Sequence, residues 1–184
     1  NLISFEIAKR YISNFIRQEI NNLDKGHKIK IYAVEKQVET ILNHPSIRIP
    51  VRLKGSIDRL DSFDGVFRII DYKTSKVSQS DLNLINLLEV INDYKKYNKI
   101  FQLLMYAYIL IDTEEFQPPF ELGIYSFKNL KSGFLKLKLK DKSLITQGVS
   151  SSIDDSLING FEEQLALLLN DIFCVENDFV EKEV

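Results

Sequence analysis

Three residues in this chain have the types and spacing to do chemistry together. Asp58 lies in the run Gly55-Ser56-Ile57-Asp58-Arg59-Leu60-Asp61, and Asp71 and Lys73 lie in the later run Asp71-Tyr72-Lys73-Thr74. Two carboxylates can hold a hard divalent cation through oxygen, and a lysine beside them can hold a phosphate. That set is the minimum for metal-assisted hydrolysis of a phosphodiester. Mg²⁺ suits it, because Mg²⁺ binds through one or two carboxylates and fills its shell with water and substrate phosphate. A softer metal is unsupported, since the two histidines and the single cysteine lie far apart in sequence.

The chemistry depends on whether neighbouring elements bring the three together. Val51 to Asp61 and Val66 to Lys73 read as strands, joined by Ser62-Phe63-Asp64-Gly65. Asp-Gly between apolar runs is a hairpin signal, because glycine tolerates φ > 0. Asp58 and Asp71 are equally far from the centre of that turn, so the hairpin sets them opposite each other. Asp71 and Lys73 are two apart on one strand and share a face. The same residues also fit a blander role, as solvated charges at strand ends or as a mutual Asp71–Lys73 ion pair.

The remaining pattern is that of an α/β domain. Ile3, Ala8, Tyr11, Ile12, Phe15, Ile16 and Ile20 recur at helical spacing over 3–20. Residues 21–28 read as a turn, and 29–42 as a strand. A leucine-rich helix is expected over 81–91, a polar and basic segment over 92–99, and an apolar helix over 101–111. Residues 122–127 form a strand. Leu135 to Lys140 alternates strictly, as one strand with Lys136, Lys138 and Lys140 on its solvent face. A Ser/Asp-rich linker over 149–155 leads to a last amphipathic helix over 157–173, in an acidic stretch running over about 156–184. The order predicts helices flanking a central mixed sheet, with the core at about 29–140 in a single domain spanning 1–184.

Composition excludes several classes. The 184 residues are 45% hydrophobic and 27% charged, as in a globular domain. No apolar run is long enough for a membrane span. One cysteine, Cys174, excludes an internal disulfide framework and any multi-cysteine cluster within this sequence, and a reducing, cytoplasmic setting is expected. The net charge of −2 is uneven: residues 143–184 hold nine acids and one base, and the other 142 residues hold 23 bases and 17 acids. A mildly basic body suits a polyanion partner. The chain begins at Asn1 and its only methionine is Met105, so a piece of a longer protein is expected.

The run Gly-x-Ile-Asp-Arg-Leu-Asp, then Arg-Ile-Ile-Asp-Tyr-Lys-Thr, then Gln102-Leu103-Leu104-Met105-Tyr106, resembles the RecB/AddB-like branch of the PD-(D/E)XK nucleases. That branch also includes CRISPR-associated exonucleases. The resemblance covers about Ile31 to Phe127 and implies a restriction-endonuclease-like core. It implies that Asp58 and Asp71 are the metal ligands, with the Tyr72 main-chain carbonyl, and that Lys73 positions the attacking water. Gln102 and Tyr106 match a Gln-x-x-x-Tyr motif that reaches the site or the DNA backbone, and Thr74 would contact phosphate. The implied cofactor is Mg²⁺ or Mn²⁺. The implied activity is that of a DNA exonuclease acting on ends or single strands, with a helicase partner, in double-strand break repair. A catalytically inactive DNA-binding or scaffold module of the same fold is the alternative. The branch also carries an upstream histidine that His27 and His44 fit poorly, so that histidine is expected before Asn1. An iron–sulfur cluster is not supported. Weaker candidates are Glu35 toward the metal, Ser75 toward phosphate, and two basic groups: Lys128 and Lys131 with the 136–140 lysines, and Lys95, Lys96 and Lys99 beside Tyr94 and Tyr97.

Overall fold

The structure, a computed structural model, describes residues 2–113, 119–140 and 152–174. In chain order the elements are α1 (Leu2–Asp24), β1 (Ile29–Leu42), β2 (Val51–Phe63), β3 (Val66–Lys73), β4 (Asn83–Leu84), α2 (Tyr94–Asp112), β5 (Phe120–Ser126), β6 (Leu135–Lys136), β7 (Lys138–Leu139), β8 (Ser152–Ile153) and α3 (Asp155–Phe173). The main sheet has the order β1-β2-β3-β5-β6, with β8 also pairing with β5. It is mixed: β3 and β5 are parallel, and the other pairs are antiparallel. A parallel pair needs a long crossover connection, and α2 lies within it. This is the expected mixed sheet flanked by helices.

The hairpin of β2 and β3 organises the rest. Asp64 and Gly65 take φ of 51° and 88°, the left-handed pair that a two-residue turn requires. Phe63 pairs with Val66, and the ladder runs to Arg59 opposite Ile70. The Asp64 carboxylate accepts the Lys28 backbone N–H at 2.8 Å and meets His27 Nδ1 at 2.8 Å, which ties the turn to the start of β1.

The two faces of the sheet are covered differently. On one face, α1 inserts Phe15 edge-on against the rings of Tyr72, Tyr125 and Phe127. On the other, α2 and α3 close the main core, where Leu60, Ile69, Leu103, Leu104 and Phe161 are fully buried. Asp93 caps α2 by accepting the Lys96 N–H, and Asp154 caps α3 by accepting the Leu157 N–H.

A buried ion network lies under α1. Arg68 donates two hydrogen bonds to Asp61, one to each oxygen at 2.7 Å, across the hairpin. Arg59 Nη2 meets Asp61 at 2.6 Å and Glu19 of α1 at 2.8 Å. Asp61 has no solvent exposure, so its charge is held entirely by these arginines.

Several expectations are corrected. Residues 81–91 do not form one helix. Two 3₁₀ turns, Gln79–Leu82 and Leu87–Glu89, flank the short β4. Leu82 and Leu84 are both fully buried although two apart, which is strand spacing, and the 3₁₀ turns start at polar Ser78 and Asn86. Residues 94–99 belong to α2, because Asp93 starts the helix earlier than the apolar pattern does. The strand expected over 135–140 is split: the Leu137 N–H bonds to Leu122, whereas Lys140 bonds to Leu84 and β7 pairs with β4. In α1 only Phe15 is buried, and Ile3, Ile12, Ile16 and Ile20 are exposed, because the helix meets the sheet along a line narrower than its apolar stripe. Residues 149–151 of the linker and the acidic residues after Cys174 lie outside the described residues.

Removing one partner of a buried ion group leaves charges uncompensated. Asp61→Ala is expected to lower stability by about 3–5 kcal/mol in urea unfolding. A loss below about 1 kcal/mol would mean that the arginines find other partners.

Candidate active site

Asp58 and Asp71 occupy the next register position beyond the last ladder pair, Arg59 with Ile70. The hairpin therefore does set the two acids opposite each other. Asp58 Oδ2 accepts the Tyr72 backbone N–H at 2.7 Å, which fixes its carboxylate against β3. Across β2 from Asp58, at the position between the paired Val34 and Lys36, stands Glu35 with φ of 51°. A side-chain-bearing residue in that region is strained, and such irregularities re-aim neighbouring side chains.

Asp71 is almost fully buried. Its Oδ2 lies 2.9 Å from Lys73 Nζ, but outside the angular range of a hydrogen bond, so that buried oxygen has no directed donor. Burial raises the Asp71 pKa above the ordinary aspartate value. Lys73 opposes the shift, and the charge of Asp58 adds to it.

Lys73 is seated by α2. Its ammonium donates to Gln102 Oε1 at 2.7 Å, and Gln102 Nε2 donates to Tyr106 Oη at 2.7 Å. The amide orientation follows from chemistry, because an ammonium can only donate. Since Tyr106 Oη accepts from Gln102, its own proton is free to be donated elsewhere. Burial, with the charges of Asp71 and Asp58, raises the Tyr106 pKa and keeps that proton in place, although the Gln102 bond opposes the shift. Gly55 of β2 makes room for the ring: a Cβ there would sit 2.8 Å from Tyr106 Cε1.

These residues open into a groove of about 630 Å³ between β2 and α2, whose walls include Lys54, Lys73, Tyr94, Lys99, Gln102 and Tyr106. No carboxylate lines it among the described residues.

The structure thus brings Asp58, Asp71, Lys73, Gln102 and Tyr106 together. The Asp71–Lys73 pair and the opposed acids are both present. Thr74 is exposed just past β3, and Ser75 lines the groove instead. Glu35 adds no third ligand, since no group of three metal-ligating side chains forms among the described residues. His27 is engaged with Asp64, and His44 contacts Ser46 and Glu163, so neither is recruited to the site. Lys136 is paired with Glu121 at 2.6 Å, beside β5. Tyr97 is core, and Lys96 lies over its ring and beside Glu89. Sequence reasoning missed the packing role of Gly55, whose signal was a glycine three residues before the first acid.

The donor set fits a hard cation. It offers two carboxylates, one with a buried oxygen lacking a directed donor, and no sulfur or imidazole.

Two outcomes test this geometry. Asp71 takes up its proton at a higher pH in the folded state than in the unfolded chain. Without metal, its charge therefore opposes folding above that raised pKa, and the penalty is relieved as pH falls through it. In EDTA near neutral pH, Asp71→Asn is expected to raise the melting temperature by about 2–4 °C. A fall would mean that the Lys73 pair outweighs burial. Gly55→Ala should lower stability by about 1–3 kcal/mol, because the Tyr106 ring is packed and must shift. Chemical denaturation checks it, and an unchanged midpoint would show that the ring yields freely.

No curated protein and no solved structure matches the chain. A family model for the PD-(D/E)XK nuclease superfamily matches residues 5–178. That span includes the opposed acids, Lys73 and the α2 residues that seat it, and the chain belongs to the PD-(D/E)XK nuclease superfamily.

Proposed function

We propose that this chain is a single nuclease domain that hydrolyses DNA phosphodiesters with Mg²⁺ or Mn²⁺. The observation that carries the reading is the convergence of Asp58, Asp71 and Lys73 beside one groove, with Lys73 oriented by Gln102. Asp58, Asp71 and the Tyr72 carbonyl would hold the cation. In a strand the N–H and C=O of one residue face the same neighbour, and the Tyr72 N–H faces Asp58. When bound, the cation would supply Lewis acidity toward the phosphate and a lower pKa for its water.

The protein's own residues then position the groups. Lys73, held between Asp71 and Gln102, orients the attacking water and balances negative charge as it grows on the phosphoryl oxygens. The Tyr106 hydroxyl, relieved of acting as donor toward Gln102, gives its hydrogen bond to a non-bridging oxygen. Thr74, exposed after β3, contacts phosphate in this reading on the strength of the motif resemblance alone. Exonuclease action on ends or single strands, a RecB/AddB-like ancestry and a helicase–nuclease setting in double-strand break repair complete the reading. They rest on the resemblance of the three motifs.

Asp71→Ala decides between this reading and a non-catalytic DNA-binding or scaffold module. Cleavage of linear DNA in Mg²⁺ or Mn²⁺ is expected to fall at least 10³-fold, with DNA binding within about three-fold of wild type. A wild type that binds DNA and cleaves neither linear nor circular substrate favours the scaffold.

A further inference from the structure

The groove continues past the residues that hold Lys73. At its far wall stands Tyr94, the first residue of α2, with 73% of its surface exposed. It is the most exposed aromatic ring among the described residues. An exposed ring of this size gives up burial that the fold offers to nearly every other tyrosine here: Tyr97, one turn later on the same helix, is fully buried. Tyr94 shares the groove walls with Lys54 and Lys99. Lys99 acts at a distance on Asp81, whose carboxylate already accepts from Ser78. Lys99 thus lines the groove with much of its hydrogen-bonding capacity unspent.

A flat exposed ring with Lys99 beside it, in a groove lined by no carboxylate among the described residues, matches one kind of ligand, an unpaired nucleotide within a polyanionic strand. Its base stacks on the ring, and its phosphate meets the ammonium group. In a duplex the base faces are already covered by their neighbours, so a ring of this kind favours a single strand. The groove, about 630 Å³, is of a size to take a ligand that large.

We propose that Tyr94 is a base-stacking platform on the groove wall, with Lys99 binding a phosphate of the same unpaired strand. The proposal rests on the nuclease reading, since it places this nucleotide beside the one whose phosphate reaches Lys73. It makes Tyr94 a determinant of strand preference.

The test is fluorescence anisotropy on the full chain with a labelled oligothymidylate, in Ca²⁺ in place of Mg²⁺, alongside cleavage assays in Mg²⁺. Tyr94→Ala is expected to weaken binding about ten-fold, and Tyr94→Phe to stay within two-fold of wild type. Lys99→Ala should weaken binding and reduce the dependence of log K on log salt by about one. On an abasic strand, wild type and Tyr94→Ala should bind alike, because no base is left to stack. Tyr94 is exposed, so the variants should melt with wild type, which confirms that any loss is local. Equal binding of oligothymidylate by wild type and Tyr94→Ala, with wild-type cleavage intact, overturns the platform and leaves the nuclease reading standing. Loss in Tyr94→Phe equal to that in Tyr94→Ala also overturns stacking, in favour of a hydroxyl contact. A wild type that neither binds nor cleaves nucleic acid overturns both.

Discussion

The register between β2 and β3 is the constraint on which the site depends. A slip of one residue would turn Asp58 or Asp71 to the opposite face of the sheet, because side chains alternate. Three independent devices prevent that slip. The Asp64-Gly65 turn admits only a two-residue loop with both φ positive. The Asp61–Arg68 pair joins directly opposed positions with two hydrogen bonds. The Tyr72 N–H closes on Asp58 just past the last ladder pair. One of these is chain conformation, one is buried charge and one is a hydrogen bond from backbone to side chain, so no single weakness frees the register.

α2 contributes a second layer of control. Its helical spacing sets Gln102 and Tyr106 one turn apart, and the two link Lys73 to a ring packed over Gly55. The lysine would otherwise be a flexible side chain pulled only toward Asp71. Held from both sides, it loses rotamer freedom before any substrate arrives, which is what a positioned catalytic group requires.

Much of this was legible in the sequence because its causes are local. A two-residue turn signal fixes a register, and a register fixes which residues face each other, so Asp58 and Asp71 could be paired by counting. Gln102 and Tyr106 could be placed on one face from helical spacing. What was not legible depends on partners distant in sequence. Leu84 looks helical within a leucine-rich run, but it is drawn into a strand by its pairing with Leu139. The alternation of Leu135 to Lys140 is real, yet two different neighbours share it, so one pattern yields two short strands. Arg59 and Asp61 are two apart on a strand and Arg68 lies across the turn, which was a readable hint of a network. That it is buried follows only once α1 lies over it and brings Glu19.

The charges on the two faces of the sheet separate structure from site. Under α1, Glu19 and Asp61 meet Arg59 and Arg68, two negative against two positive, each within 2.8 Å of an opposite charge. On the α2 side, Asp58 stands opposite Asp71 and only Asp71 is paired with Lys73, two negative against one positive. A buried group that balances internally has its energetic reason within the fold. The second group is not balanced in this way, and the Asp71 pKa is raised first by burial, with the charge of Asp58 adding to it. The fold therefore balances its buried charges under α1 and leaves one carboxylate in excess on the α2 side.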